Sequence, residues 1–533
     1  MDVLSVSYWR KLLILSHRWM AIVMGFLFVP WILSGIVLTF WSMPTFTSEE
    51  RLRHLPPLDL STARVEPMDA ARNAKITPSS LRVGMYDDGR PVYRFQGASI
   101  IYADTGEPVA GRNADQAVDF VRQLQPAHAA TIHYETLLEE PDLWTAGNRR
   151  TPLPLHKIAV GDPNDTYYYI SPITGEPVMK TDRASRFWGF FGEVIHLWYF
   201  TPLRRNGSLR DWLVKWGSFT GNLICLSGLV VGIWQFSVSR RYRKKTRKSF
   251  SPYTDWLLWH HYAGLIFGVV VCTWIFSGAL EESFYRGPSI DPTAQQRAIT
   301  TGGPIKFDRV TLEKLCAALE AIAPAFRPKE ADVLQFRGEP YLYAANGPSE
   351  RALIGSTERD WSWKPPEYQM VWLNHTERGA FRRFDDSAII DIAREAMPGI
   401  PIKEAAWISE YDNYYRTRFG SQPLPALRVK YDDPTSTWLY IDPQRGLIAL
   451  RVQRHNRQRR WLYNGLHKFD FPYIYDHPAL WATSIVLMSL GCLVLTVAPI
   501  VPMFRRLRRH AERLVCWVRA RRVAPEPVIT NRS

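Results

Sequence analysis

The chain has 533 residues, of which 46% are hydrophobic, and a formal net charge of +15 at pH 7. A chain of this length accommodates two to four domains. The basic excess is confined to the N-terminus (Arg10, Lys11 and Arg18), the stretch SRRYRKKTRKSF and the tail that begins FRRLRRHAERL. Because the remainder of the chain is close to neutral, this pattern argues against nucleic-acid binding. Anionic membrane lipid is as suitable a partner for the basic tail as nucleic acid.

Four apolar windows are each long enough to cross a bilayer core of about 30 Å. The basic segments lie beside them as the positive-inside rule requires, so both termini and the middle loop are predicted to be cytoplasmic. In chain order the predicted regions are an N-terminal segment (1–18), transmembrane helix 1 (19–41), a first exported domain (42–211), transmembrane helix 2 (212–236), a basic loop (237–256), transmembrane helix 3 (257–280), a second exported domain (281–478), transmembrane helix 4 (479–503) and a basic tail (504–533).

The two exported segments are predicted to be small α+β units. The stretches SIIYADTGEPV, TYYYISPITGEPV, TWLYIDPQRGLIAL and SLRVGMYDDGRPVYRF each read as a strand, a tight turn and a second strand. ADQAVDFVRQLQ and TLEKLCAALEAIA have helical spacing of their apolar residues. The predicted fold class is therefore an α+β membrane protein with four transmembrane helices in two pseudo-symmetric halves.

The chain contains an internal repeat that includes histidines. Aligned without a gap, the first span matches the third at His17 and His260, at Trp31 and Trp274, and at the Ser-Gly pairs Ser34–Gly35 and Ser277–Gly278. The second and fourth spans match more loosely. Each follows an aromatic stretch with one histidine: RFWGFFGEVIHLWYFTP carries His196, and RRWLYNGLHKFDFPY carries His467.

Together these stretches resemble the PepSY-associated transmembrane family. The resemblance rests on LSHRWMAIVMGFLFVPWILSGI, LLWHHYAGLIFGVVVCTWIFSGAL, WLYNGLHKFDFPYIYDHPALW and the YADTGEPV-type hairpins, and it covers roughly residues 8–505. It implies a multi-pass protein of the bacterial inner membrane with periplasmic PepSY-like domains. It also implies a haem-containing reductase of ferric siderophores, although many members have no assigned activity.

The four repeat histidines are candidate haem ligands. A histidine at membrane depth is costly unless it is paired or ligated, and neutral imidazole is a good axial ligand for haem iron. Topology pairs His17 with His260 on the cytoplasmic side and His196 with His467 on the exported side, one haem for each pair. Two axial histidines suit electron transfer rather than oxygen activation, and without a CxxCH motif both haems would be non-covalent haem b.

Other interpretations of these residues stay open. The same histidines could be interfacial anchors or helix–helix hydrogen-bonding groups. His261 and His477 are the rival ligands. His261 replaces Arg18 in the repeat and, about 100° around the helix from His260, would face lipid headgroups, a haem propionate or a neighbouring helix. His477 precedes Pro478, a position typical of a helix cap.

The leading functional hypothesis is a diheme transmembrane oxidoreductase. Its donor would be external, a quinol or a flavoprotein, and its acceptor a periplasmic ferric siderophore or other ferric chelate. One alternative is a haem-free, membrane-anchored PepSY protein that regulates or chaperones exported proteins. A third is a transporter of iron or siderophore, against which the spans carry no Gly/Pro-broken pair in corresponding positions.

Overall fold

The computed structural model describes residues 6–96, 99–146, 153–244, 247–280, 288–347, 367–416 and 422–523. The start of the predicted second exported domain (281–287) and the end of the predicted tail (524–533) lie outside these residues. The described chain separates into a helical unit (Met1–Thr39, Gly207–Arg286 and Leu462–Ser533) and a sheet-containing unit (Phe40–Asn206 and Gly287–Trp461).

The helices are α1 (Val6–Phe40), α2 (Ser48–Arg53), α3 (Pro67–Asn73), α4 (Ala114–Leu124), α5 (Arg183–Gly189), α6 (Thr201–Arg205), α7 (Gly207–Gln235), α8 (Asp255–Ala279), α9 (Ala294–Thr301), α10 (Leu312–Glu320), α11 (Asp386–Glu395), α12 (Arg454–Arg459), α13 (Leu466–Lys468), α14 (Pro472–Tyr475), α15 (Pro478–Val497) and α16 (Ile500–Val523). The strands are β1 (Leu81–Met85), β2 (Pro91–Phe95), β3 (Ile100–Tyr102), β4 (His133–Leu138), β5 (Leu155–Ala159), β6 (Tyr167–Ile170), β7 (Pro177–Thr181), β8 (Tyr242–Lys244), β9 (Arg247–Ser249), β10 (Glu330–Phe336), β11 (Glu339–Ala345), β12 (Tyr368–Trp372), β13 (Ile402–Ile408), β14 (Ala426–Tyr431), β15 (Trp438–Asp442) and β16 (Leu447–Val452).

Among the described residues, four helical stretches are long and apolar enough to cross a membrane: Val6–Phe40, Gly207–Gln235, Asp255–Ala279 and Pro478–Trp517. They expose large apolar side chains such as Val23, Ile233, Ile266 and Leu487, which are between 56% and 74% exposed. A continuous apolar surface of this kind is stable in lipid and unstable in water. The protein is therefore a multi-pass membrane protein, and the predicted α+β membrane fold is confirmed.

Two helices differ in extent from the predicted spans. α1 begins at Val6, well before residue 19, because the intervening residues include the helix formers Leu12, Leu13 and Leu15 and contain neither glycine nor proline. The predicted fourth span is divided between α15 and α16, which meet at Pro499. Proline lacks the backbone N–H that would continue the helical hydrogen-bond ladder.

In the described residues of the sheet-containing unit, three antiparallel sheets are present, together with the helices that pack on them. One sheet has six strands in the order β12-β11-β10-β1-β2-β3, and two have four strands each, β4-β5-β6-β7 and β13-β14-β15-β16. The six-stranded sheet takes three strands from each half of the chain, joined where Leu81 lies opposite Val333. α3 and α10 cover one of its faces, where Ala70, Leu315 and Ala318 are fully buried.

The hairpins predicted from the TGEPV strings are present. Gly106 (φ +74°) and Gly175 (φ +67°) occupy the turns, and each donates its N–H to a carbonyl four residues earlier, on Tyr102 and Ser171. Both glycines have left-handed backbone conformations, which glycine adopts without steric cost. The two strings therefore form the same turn in different sheets.

Candidate functional site

His17 on α1 and His260 on α8 lie next to each other inside the helical unit. Their ring centroids are 6.4 Å apart and the ring planes differ by 31°. His17 Nδ1 lies 3.1 Å from the carbonyl oxygen of Ile224 on α7, and His260 Nδ1 lies 2.8 Å from that of Leu495 on α15. The repeat pair is thus brought together by four helices.

The hydrogen bonds of this pair determine which ring nitrogen is available. A carbonyl oxygen can only accept, so each Nδ1 carries the proton and donates it. Each neutral ring then presents an unprotonated Nε2, and neither Nε2 has a hydrogen-bond partner within the described part of the chain. An imidazole oriented in this way through Nδ1–H···O=C is the usual form of a metal-ligating histidine.

A glycine on α7 makes room for the His17 ring. A Cβ atom on Gly228 would lie 2.7 Å from His17 Cε1, closer than any ordinary van der Waals contact. Ser227, the preceding residue, places its Oγ 3.3 Å from His17 Nδ1 and donates to the Ile224 carbonyl at 3.0 Å. His17 therefore rests on a carbonyl, a serine three residues later and a glycine four residues later.

His467, on the short helix α13, rests on the same three groups of α8. Its Nδ1 is 3.0 Å from the Trp274 carbonyl oxygen and 3.1 Å from Ser277 Oγ. A Cβ on Gly278 would lie 3.2 Å from His467 Cε1. One of the two Ser-Gly pairs of the repeat, Ser277–Gly278, thus holds a histidine. The corresponding pair on α7, Ser227–Gly228, was not predicted from the sequence to support a histidine. The signal was the string LSG, which occurs both at 33–35 and at 226–228.

The backbone around His196 matches the backbone around His467. Each follows a π-helical segment, Phe190–Val194 or Arg460–Gly465, that ends two residues before the histidine. Two residues after it comes an aromatic residue with a left-handed backbone, Trp198 (φ 56°) or Phe469 (φ 52°). π-Segments and left-handed aromatic residues are uncommon and concentrate at functional sites. The loose sequence match thus corresponds to the same local structure.

His196 and His467 belong to different units of the structure, Phe40–Asn206 and Leu462–Ser533. Their pairing therefore stays a prediction that rests on the repeat.

The two rival histidines have other contacts. His261 is 5% exposed; its Nε2 lies 2.8 Å from the Gly232 carbonyl on α7 and its Nδ1 lies 2.7 Å from Ser251 Oγ. It thus faces the neighbouring helix, one of the three predicted alternatives, with both ring nitrogens engaged. His477 is exposed and occupies the N-cap position of α15. Its Nδ1 lies 2.8 Å from the carbonyl oxygen of Tyr473. The described residues contain no group of three or more His, Cys, Asp or Glu side chains that could hold a metal ion on its own.

A family model described as the PepSY-associated TM region matches residues 15–300. These residues include most of α1, all of α7 and α8, and hence His17, His196 and His260. No curated protein matches the chain.

Proposed function

The chain belongs to the PepSY-associated transmembrane family, and on that premise we propose that it is a haem-dependent oxidoreductase of a bacterial inner membrane. In this proposal both termini and the basic loop are cytoplasmic, and the sheet-containing unit is periplasmic. The protein carries two non-covalent b-type haems. It takes electrons from a quinol or a flavoprotein and reduces a periplasmic ferric chelate, for which a ferric siderophore is the leading candidate.

The observation that carries the proposal is the arrangement of His17 and His260. The two ring centroids are 6.4 Å apart, close enough for both Nε2 atoms to ligate one metal ion through bonds of about 2 Å. Both Nδ1 atoms are already bonded to carbonyls, and the missing Cβ of Gly228 leaves space at the His17 ring. The donor set and its spacing therefore fit a haem iron that would be held by His17 and His260.

The residues of the chain have distinct roles in this site. His17 and His260 would hold the group, while Ile224, Ser227 and Leu495 orient the two rings and fix the proton on Nδ1. The surrounding apolar helices exclude water. When bound, such a group would supply one-electron transfer, and ligation by both His17 and His260 would suit electron transfer rather than oxygen activation.

A second site of the same kind is proposed at His467 and His196. His467 has the same supports as His17, namely a carbonyl, a serine and a glycine on one helix. His196 is assigned by the repeat and by the matching backbone. One site near each membrane face would let electrons cross the bilayer. A quinol donor would release two electrons and two protons and reduce two Fe(III) chelates to Fe(II).

The test is the absorption spectrum and haem content of the purified protein, produced with sufficient haem. We expect two b-type haems per chain. His17→Ala and His260→Ala should each remove one haem, whereas His261→Ala should leave both. A wild-type protein without a Soret band would refute the proposal and favour the haem-free regulatory alternative. Loss of a haem in His261→Ala but not in His260→Ala would show that the ligands are wrongly assigned.

The reaction is tested in proteoliposomes. Chemically reduced protein should convert a ferric siderophore outside the vesicle to Fe(II), trapped by a ferrous chelator, without moving labelled siderophore inside. Uptake of the labelled siderophore without reduction would favour the transporter alternative.

A further inference from the structure

The break between α15 and α16 leaves one backbone carbonyl without its helical partner. α15 ends at Val497, and the N–H of Ala498, which follows it, donates to Val494 at 3.1 Å. In a continuous helix the N–H of residue 499 would donate to the carbonyl of Leu495. Residue 499 is proline and has no N–H, so this carbonyl is free to accept from a side chain.

His260 occupies that position. Its Nδ1 lies 2.8 Å from the Leu495 oxygen, the shortest of the three bonds from a repeat histidine to a carbonyl described above. His17 and His467 share their acceptors. The Ile224 carbonyl also accepts from Ser227 Oγ at 3.0 Å, and the Trp274 carbonyl also accepts from Ser277 Oγ at 3.2 Å. Both of these carbonyls lie inside continuous helices, where the N–H four residues later competes as well.

We propose that Pro499 is a positioning residue that sets the electron-donating strength of His260 and thereby lowers the reduction potential at the His17/His260 site. This inference rests on the haem function proposed above. Because the Leu495 carbonyl does not also accept a helical N–H from residue 499, its hydrogen bond with His260 Nδ1–H is stronger. A stronger bond at Nδ1 increases the basicity of Nε2 as a ligand. A more basic axial ligand stabilises the oxidised iron relative to the reduced iron.

The proposal also gives electron transfer a direction. His467 bonds to a shared carbonyl, so this ligand lacks the feature found at His260, and the proposal assigns its site the higher reduction potential. Electrons would then pass downhill from the His17/His260 site to the His467 site. The proline, through one missing N–H, favours transfer from the proposed cytoplasmic face to the proposed periplasmic face.

The experiment is a potentiometric titration of the purified holoprotein, combined with electron paramagnetic resonance of its low-spin ferric signals. Pro499→Ala supplies the missing N–H, which competes with His260 for the Leu495 carbonyl. We expect the lower of the two midpoint potentials to rise and its g-values to change, while the other component stays the same. We also expect haem at this site to dissociate roughly 10-fold faster, the lower end of typical effects of losing a ligand's hydrogen-bond partner.

Two further variants distinguish the effect of the missing N–H from the effect of the rigid pyrrolidine ring of Pro499. An α-hydroxy acid at position 499, such as lactic acid, has no ring and no N–H, and should keep the wild-type potentials. Nδ1-methylhistidine at position 260 removes the donor itself and should shift the same component upward, which tests the inference even if Pro499→Ala does not fold. Pro502→Ala is the matched control, because position 502 lies in the first turn of α16, where an N–H has no helical acceptor.

Unchanged potentials in Pro499→Ala and in the methylhistidine protein would overturn the inference. An α-hydroxy acid variant that shifted as Pro499→Ala does would also overturn it, because ring stiffness would then be the cause. Failure of the haem proposal is a separate result, since it would appear as absent haem in the wild-type protein.

Discussion

Replacing Gly228 with alanine should displace His17 and weaken one haem site. The new Cβ would lie 2.7 Å from His17 Cε1 and 3.3 Å from His17 Nδ1. Carbon atoms in contact normally lie about 3.5–4.0 Å apart, so the ring has to retreat by about 1 Å. The bond from Nδ1 to the Ile224 oxygen, already 3.1 Å long, would then break.

The size of the effect follows from that bond. A buried donor left without its partner costs about 1–3 kcal/mol, which corresponds to a decrease of roughly 5- to 150-fold in haem affinity at that site. Haem titration of the apoprotein, followed at the Soret maximum, measures it directly. We expect one of the two binding steps to weaken and the other to be unchanged.

Gly217→Ala is the control on the same helix. Its Cβ would meet only Met24 Cε, at 4.0 Å. Both substitutions gain the same helix propensity, about 1 kcal/mol, so any difference between the two variants reports the contact with His17. Equal haem affinities in Gly228→Ala and Gly217→Ala would refute the placement of the ring against α7.

Two predictions concern the rest of the molecule. Burial alone would raise the pKa of the Glu176 carboxyl, but the Arg94 guanidinium, bound to it through two hydrogen bonds of 2.7 and 2.9 Å, holds that pKa below its ordinary value. The pair therefore contributes stability above the unfolded-state pKa of about 4.3, and this contribution is lost as the pH falls through the lower folded-state pKa. Glu176→Gln should lower the free energy of unfolding by about 3 kcal/mol at pH 7, and thermal melts between pH 3 and 7 should show a weaker dependence of stability on pH. The control is Asp69→Asn, in an exposed pair with Arg72, which should change little. Identical pH dependence in wild type and Glu176→Gln would contradict this prediction. Cys516 on α16 is exposed, and Cys316 in the sheet-containing unit is half-buried. In a Cys316→Ser background, a membrane-impermeant maleimide should label Cys516 in inverted vesicles and not in intact spheroplasts, with Cys316→Ser/Cys516→Ser as the unlabelled control. Labelling of Cys516 in spheroplasts would reverse the proposed orientation.

Local features of the structure could be predicted from the sequence. The four spans, the α+β class and the TGEPV hairpins depend on apolar run length, side-chain periodicity and turn residues, all of which act between near neighbours in the chain. The alignment of His17 with His260 could also be made from the sequence, because the repeat is ungapped and includes tryptophan and glycine as well as histidine. It led to a pair of rings that the structure brings within 6.4 Å.

Tertiary structure decided what each part contacts. The sequence predicts two exported domains, but strand β1 of the first half pairs with β10 of the second in one sheet. Hydrogen bonds between strands are the same for any sequence, so hairpin patterns cannot specify a pairing across such a distance in the chain. Likewise, Pro499 and the string LSG at 226–228 are present in the sequence. Only helix packing, however, brings the Leu495 carbonyl to His260 and the Ile224 carbonyl to His17. The sequence alone determined which histidines correspond in the repeat. Helix packing determined that Nδ1 of His17 and of His260 lies against a backbone carbonyl, which leaves Nε2 unprotonated.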